Sequence, residues 1–549
     1  MPPSTLTEYN ARVVPAEGEP LLKLAAGVLL FLYSTGLMAQ SSALRDVGEV
    51  AFVNSGALAA QSEFLRGLAQ LHNFEYADAA VHFRRAEEID PGFAMAYWGE
   101  AMTKNHGVWH EQELPAAREV LSRLGPTPEA RAAKAPTGRE KQYLATLEIL
   151  YGDGTKNERD QKYETAMARL HQQYPDDVDA TAFYALSILG SAEQGRDFAT
   201  YMRAAAVLEE VFPQHPRHPG VVHYLIHCYD DPIHAPLGLR PARIYAQIAP
   251  DAGHAQHMTS HIFLALGMWD EVVKANEAAI AVVGQQRAAA GKTPHFCGHY
   301  PYWLEYGYMQ QGRVSDARRI LEGCREEAQG QPATVVTKSV TTADPDTSAI
   351  GSYAAMRANF LVDSELWKDD VAQWAMPAGD YPWAQLTLDY TAALAAYKTS
   401  NLVASREALV RMETDAKQAT AWMDQRKLDE PAERNRSIML LEQVRALLGS
   451  SSPQDTIGAL QSVAAKEDAL PLEFGPPDIY KPTDEILGEL YLQLNRPADA
   501  RKAFEADLAR APGRRLGVRG LAEADKQLAS SQLPSESAKP ANSGDHFHH

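Results

Sequence analysis

Histidines at helical spacing are the residues of this chain with the clearest capacity for chemistry. Seven of its eighteen histidines lie within the 44 residues from His218 to His261. His223 and His227 form one His-x-x-x-His pair, and His257 forms a second pair with His261. Side chains four residues apart lie on one face of an α-helix, so both imidazoles of a pair can reach a single metal ion.

The donor set predicts a transition metal, because imidazole suits zinc, copper and iron. Six histidines are the predicted ligands: His223, His227, His254, His257, His261 and His299. We expect the two pairs to converge on one ion, with His254 and His299 at the edge of the site. Three carboxylates close in sequence are predicted to orient the ring N–H groups: Asp230, Asp231 and Asp251.

The distance between the two pairs predicts the elements that carry them. The offsets are 257 − 223 = 34 and 261 − 227 = 34. A period of 34 residues is typical of a helix–turn–helix repeat, in which equivalent residues lie on neighbouring helices. Gly67, Phe83 and Pro91 fall at the spacing of such a repeat. The sequence therefore predicts an all-α solenoid.

Composition excludes some functions. The 549 residues carry a formal net charge of 52 − 71 = −19, which argues against nucleic acid as a partner. The chain contains no phosphate-binding loop, dinucleotide fingerprint or His-Glu-x-x-His motif, so the motifs name no standard enzyme class.

The amino-terminal segment predicts export. Lys23 precedes an apolar run that ends at Ala39, which is short for a membrane span and typical of a signal peptide. We expect cleavage before Gln40, a signal peptide of residues 1–39 and a periplasmic or extracellular protein. The alternative is an uncleaved anchor at residues 24–39, the only case in which a membrane is a partner.

The three cysteines are Cys228, Cys297 and Cys324. Three cannot all pair within the chain and no Cys-x-x-Cys is present, so the sequence supports neither a disulfide framework nor a thiolate zinc site. We expect small buried core residues, with Cys228 and Cys297 as soft metal ligands in the alternative.

Breaks in the helical pattern divide the chain. We expect a first repeat array with the histidines at residues 40–325, and a second array at 347–525. Between them, the β-prone residues 326–346 are interpreted as a loop or short hairpin. The Ser- and Pro-rich residues 530–549 are predicted to be disordered.

Several stretches resemble a family of exported bacterial tetratricopeptide-repeat proteins. They are LHNFEYADA (71–79), AMAYWGEAM (94–102), HPGVVHYLIHCYDDPIHA (218–235), HAQHMTSHIFLALGMWD (254–270) and KPTDEILGE (481–489). The resemblance implies a right-handed superhelix of repeats over most of the mature chain, whose first helices line a concave groove. The groove residues it implies are His72, His106, Tyr302, Tyr306, Glu485 and Glu489.

Three functions follow from these features. The first is an exported solenoid that binds a transition metal, or a protein, peptide or small-molecule ligand, in a histidine-lined groove. The first alternative is a metalloenzyme, either a hydrolase or an oxidoreductase, that uses the same histidines. The second alternative is a metal-free scaffold for protein interactions.

Overall fold

The computed structural model describes residues 46–192, 196–330, 348–379, 381–426, 431–449, 452–472 and 474–532. The predicted signal peptide, most of the loop predicted between the arrays and nearly all of the predicted disordered tail lie outside these ranges. None of the described helices is both long and apolar enough to cross a membrane.

The described part of the chain is built from 23 α-helices, which confirms the prediction of an all-α fold. In chain order they are α1 (Gln61–His72), α2 (Tyr76–Ile89), α3 (Ala94–Met102), α4 (Leu114–Leu124), α5 (Pro128–Lys134), α6 (Gly138–Leu150), α7 (Lys156–Gln173), α8 (Val178–Gly190), α9 (Phe198–Val211), α10 (Pro219–Tyr229), α11 (Ala235–Ile248), α12 (Gly253–Ala265), α13 (Trp269–Ala289), α14 (His299–Gln310), α15 (Val314–Gln329), α16 (Ala349–Ser364), α17 (Pro382–Lys398), α18 (Leu402–Arg426), α19 (Pro431–Gly449), α20 (Pro453–Asp468), α21 (Thr483–Gln493), α22 (Pro497–Arg510) and α23 (Arg515–Gln532).

Nearly all consecutive helices of the described residues pack against each other, as a tetratricopeptide-type solenoid requires. Small residues allow this close approach. A Cβ atom added to Gly67 or Gly99 would lie 3.0 or 2.3 Å from the ring of Phe83, and one added to Gly488 would lie 2.6 Å from the ring of Phe504. Each phenylalanine thus fills a gap that glycine leaves between two helices, as the repeat spacing predicts. The sense of the superhelical turn stays a prediction.

Helices on the two sides of the segment predicted to separate two arrays pack against each other. Helix α15 runs to Gln329, and α16 packs against both α14 and α15. The first and second arrays are therefore in direct contact.

Strands are limited, among the described residues, to one two-stranded ribbon. Strand β1 (Asn105–His106) pairs antiparallel with β2 (Glu111–Gln112) after α3. Short 3-10 helices occupy Leu58–Ala60, Gly107–Trp109 and Asp370–Gln373. Residues 331–346 of the predicted β-prone loop lie outside the described residues.

All three cysteines are buried, as the sequence predicts, but two of them pair, which the sequence did not predict. A disulfide joins Cys297 and Cys324, whereas Cys228 is free and buried. The pairing brings together residues 27 positions apart, one just before α14 and one within α15. No local sequence pattern marked the two residues as partners, because the proximity arises from helix packing. Cys297 is thereby removed as a soft metal ligand.

Candidate metal centre

Helices α10 and α12 carry five of the six predicted ligands and lie in the interior of the array. Every residue of both helices is buried, because α10 packs against α8, α9, α11, α12 and α1. Helix α10 begins with Pro219, whose missing N–H is harmless at the first helical position. The ring of His218 accepts the N–H of Val221 at 3.3 Å and caps the helix.

The first histidine group consists of His223, His227 and His254. One ring nitrogen of each lies within 4.8 Å of the other two. The Nε2 atoms of His223 and His254 are 3.2 Å apart, and the ring centroids of His223 and His227 are 4.8 Å apart. The Nε2 atom of His227 is buried and has no hydrogen-bond partner among the described residues. Three imidazoles thus converge around a nitrogen that lacks a partner.

The second histidine group consists of His257, His261 and His299, and it has the same ligand geometry. The Nε2 atoms of His257 and His261 are 3.0 Å apart. His299, the half-buried first residue of α14, brings its ring centroid to 4.3 Å from that of His257. The group therefore joins two helices of neighbouring repeats.

This division differs from the single four-histidine site that the sequence predicts. The two groups adjoin through His227 and His261, whose ring centroids are 5.8 Å apart, and through His254 and His257 at 6.2 Å. His254 and His299 are members of the groups rather than edge residues, because the turn of α12 places the ring of His254 beside that of His223.

Hydrogen bonds decide the protonation of the His257 and His261 rings. The Nδ1 atom of His257 lies 2.7 Å from Oδ1 of Asn276, whose amide nitrogen donates to the carbonyl of Val272. The Nδ1 atom of His261 lies 3.0 Å from Oδ2 of Asp230. Both acceptors require a proton on Nδ1, and a neutral imidazole has only one. Two Nε2 lone pairs therefore face each other.

His223 follows the same rule, since its Nδ1 donates to the main-chain carbonyl of His72 at 2.6 Å and leaves a lone pair on Nε2. Burial lowers the pKa of His223, His254 and His257 well below the usual value. Burial also lowers the pKa of His261, to about 4, although Asp230 opposes the shift. These four rings are neutral at physiological pH, which is the state that binds metals.

Asp230 and Asp231 are held by a buried arginine. Arg196 donates to Asp230 Oδ1, and at 3.1 Å to Asp231 Oδ2. Burial raises the pKa of Asp230, but the charge of Arg196 and hydrogen bonds from His227 and His261 outweigh it, so that the pKa lies well below its usual range. Asp230 thus orients one histidine of the second group and lies 3.7 Å from the Nδ1 atom of His227 in the first.

The other two predicted orienting carboxylates act elsewhere. Asp231 accepts a hydrogen bond from Nδ1 of His234 at 2.9 Å, and His234 belongs to neither group. Asp251 Oδ2 accepts the main-chain N–H of Asp46 at 2.6 Å. Asp251 follows α11, so its side chain is used to hold the first described residues rather than a histidine.

Aromatic rings enclose both groups. The Phe74 ring lies 4.4 Å from that of His223 and 5.6 Å from that of His254. Trp303 stacks on His261 at 4.5 Å, and Phe474 stacks on the same ring at 5.1 Å. Phe474 comes from the segment between α20 and α21, so a distant part of the chain closes over the second group.

The residues expected to line an open groove are instead in interior contacts. His72 is buried and its Nε2 lies 2.9 Å from Asp179, whereas His106 lies on β1 and not on a repeat helix. Arg514 donates hydrogen bonds to the buried residues Glu485 and Tyr306. Lys398 donates to the half-buried Glu489, and Tyr302 is buried.

A third cluster, formed by His72, Asp179 and His218, also has ligand geometry. Here the carboxylate lies between the rings, at 2.9 Å from His72 Nε2 and 3.3 Å from His218 Nε2. Burial lowers the pKa of His72 to about 4. Because hydrogen bonds to a carboxylate already satisfy these nitrogens, the cluster is explained as a buried polar contact between α1, α8 and α10.

A cavity of about 100 Å³ adjoins the centre, with Asp230 in its wall. Its lining includes the aromatic rings of Trp269 and Tyr306 and the charged groups of Asp507 and Arg510. Both carboxylate oxygens of Asp507 are buried and without a hydrogen-bond partner in the described part of the chain. Burial raises the pKa of Asp507 well above its usual value.

Sequence reasoning missed Arg196, Asn276 and Phe474. Arg196 precedes α9, Asn276 is on the second helix of its repeat, and Phe474 follows α20. Arg196 and Phe474 lie outside the helices, and Asn276 lies on a second helix rather than on the first helices that carry the histidine period, so the periodicity gave no signal. Asn276 was the easiest of the three to predict from the sequence, because a polar residue among the apolar positions of α13 indicates a buried hydrogen bond.

No family model and no curated protein matches the chain. Among solved structures it is similar to yeast Tom70, with a TM-score of 0.32 and 11% identity over 87% of this chain and 97% of that chain. It is similar to the APC/C assembly Cut9–Hcn1 with a TM-score of 0.33 and 14% identity, over 91% and 82%. The P58(IPK) TPR domain gives 0.20 and 13%, over 86% and 99%. At these scores the likenesses carry nothing about ligands.

Proposed function

We propose that the protein binds a transition metal through its first and second histidine groups. The observation that carries the proposal is the 3.0 Å approach of the His257 and His261 Nε2 atoms, with both Nδ1 protons donated elsewhere. Two lone pairs that face each other repel, and a cation coordinated by both nitrogens removes that repulsion. Two nitrogens bound tetrahedrally at 2.0–2.1 Å lie about 3.3 Å apart, close to the separation found here.

The donor set favours zinc, copper or iron over magnesium or calcium, because every nitrogen of the two groups is an imidazole. Carboxylate and amide acceptors behind the rings also support metal coordination by these histidines, since metal-bound histidines almost always donate their second N–H. Asp230 and Asn276 serve the second group, and the His72 carbonyl serves the first.

The metal is proposed to bind a further ligand. Three protein nitrogens leave a coordination position for a small molecule or water, and the adjoining cavity provides space beside Asp230. A ligand-binding metalloprotein is the first reading, and metal-dependent hydrolysis or oxidation is the second candidate, favoured by the same open position. The extended helical array also suits a protein or peptide partner.

Export is part of the proposal. The disulfide between Cys297 and Cys324 supports it, because disulfides persist in oxidising compartments and are rare in the cytosol. The apolar run that ends at Ala39 is interpreted as a signal peptide, with an uncleaved anchor as the alternative. Amino-terminal sequencing of the exported protein would separate the two.

Elemental analysis of two matched double variants tests the metal. After zinc loading and dialysis, H257A/H261A should lose at least one equivalent relative to the natural sequence. H171A/H215A removes two histidines outside both groups and should lose none. Both keep the carboxyl-terminal histidines 546, 548 and 549, so any metal bound there cancels.

Circular dichroism establishes that the variants are folded. If H257A/H261A proves unfolded, the half-buried His299→Ala takes its place, with reduced zinc content or affinity as the expected result. Full zinc content and affinity in a folded variant of the second group would overturn the proposal.

A further inference from the structure

We propose that the two histidine groups hold separate metal ions, so that the centre is dinuclear. The inference deepens the proposed function and rests on it. Each group supplies three imidazoles whose ligating nitrogens lie within 4.8 Å of one another. Each group also contains one Nε2–Nε2 pair near the tetrahedral separation, at 3.2 Å in the first and 3.0 Å in the second.

One ion bound through the Nε2 atoms of one group does not satisfy both groups, although His227, His261 and Asp230 also form a set with ligand geometry. An ion between the Nε2 atoms of His257 and His261 would lie about 2.0–2.1 Å from each. It would leave the Nε2 atom of His227 buried, and that atom has no hydrogen-bond partner among the residues described. An ion in the first group satisfies His227 and His223 but leaves the second group's facing lone pairs uncompensated.

The surroundings suit two neighbouring cations. Asp230 lies behind both groups, 3.0 Å from His261 Nδ1 and 3.7 Å from His227 Nδ1. With Asp231 it contributes two buried negative charges, of which Arg196 offsets one. The six imidazoles add no charge when neutral. Two divalent ions then exceed the local negative charge, so a small anion such as hydroxide would favour occupancy by bridging them.

Two residues allow the ions to be removed one at a time. His254 is 9% exposed and belongs only to the first group, whereas the half-buried His299 belongs only to the second. Both lie near the surface end of their groups. Alanine at either position should therefore preserve helix packing while it removes one of three ligands from one ion.

Copper titration of the apoprotein tests the inference. All proteins carry alanine at 546, 548 and 549, so that the tail contributes no histidine. At micromolar free Cu²⁺, the parent should bind two equivalents, H254A one, H299A one and the control H171A/H215A two. Electron paramagnetic resonance should show the signal per copper falling as the parent takes up its second equivalent, because neighbouring Cu²⁺ spins couple. The signal of each single variant should be that of an isolated ion.

A parent that saturates at one equivalent would overturn the inference, as would two equivalents in both single variants. If that one equivalent disappears in H257A/H261A, the proposed function survives without the dinuclear centre. A parent that binds no copper, zinc or iron overturns both.

Discussion

Replacing Arg196 by methionine should destabilise the protein and weaken its metal site together. The guanidinium is buried and donates to Asp230 and Asp231, and also to the main-chain carbonyls of His227 and Cys228. Methionine keeps an unbranched apolar stem but removes the charge and all of these donors. Two buried carboxylates are then left side by side without a counter-charge.

The expected size of the effect follows from that geometry. Removing one partner from a buried ion pair costs about 3–5 kcal/mol. Repulsion between Asp230 and Asp231 favours protonation, and a protonated Asp230 is a weaker acceptor for His261 Nδ1. Loss of such an outer acceptor lowers metal affinity about 10–100-fold, or roughly 1.4–2.7 kcal/mol.

Urea denaturation of the apoprotein, followed by circular dichroism, measures the first effect, and zinc competition with a chelating dye measures the second. Arg203→Met is the matched control, because Arg203 is half-exposed and pairs with Glu164 at 2.7 Å. That variant should lose less than about 1 kcal/mol and no zinc affinity. Equal stability and equal zinc affinity in the two variants would refute the role assigned to Arg196.

Three further predictions address other parts of the centre. The apoprotein should lose stability as the pH falls from about 6.5 towards 4, because burial lowers the pKa of His72 and His261 to about 4. In that range the unfolded chain takes up protons that the folded chain does not, which costs up to about 3 kcal/mol for each ring. Urea denaturation midpoints that do not change across that pH range would contradict this prediction. Asn276→Leu removes the acceptor of the His257 Nδ1 proton and should lower zinc affinity about 10–100-fold, which unchanged dye competition would contradict. Gly220→Ala places a Cβ atom 2.2 Å from His72 Nδ1 and should cost about 1–3 kcal/mol, and a thermal midpoint equal to the parent's would show that His72 can move freely.

The repeat period carried the sequence prediction furthest. The 34-residue offset correctly placed His227 and His261 on neighbouring repeat helices, 5.8 Å apart at their ring centroids. The offset relates equivalent positions and says nothing about residues between repeats. It therefore could not show that His254 turns toward His223, or that Phe474 covers His261.

Long-range packing accounts for the remaining differences. Helix packing brings Arg196 to Asp230, which lies 34 residues away in the sequence. Helix packing also brings together the disulfide partners Cys297 and Cys324. Glu485 was expected in a groove because its repeat position is usually exposed there. It is buried because Lys481 and Arg514 neutralise it, and a charge partner 29 residues away has no local signature.

X-ray absorption spectroscopy of the zinc-loaded protein tests the central claim most directly, because it reports the atoms bound to the metal. The account predicts a first shell of nitrogen or oxygen at about 2.0–2.1 Å, with the outer-shell scattering of about three imidazoles per zinc. With alanine at 546, 548 and 549 in both proteins, that imidazole scattering should fall in the H254A/H299A/H257A/H261A variant, which keeps only His223 and His227 of the six ligands. Sulfur at about 2.3 Å, or a shell of oxygen without imidazole, would contradict the assignment of the six histidines as ligands.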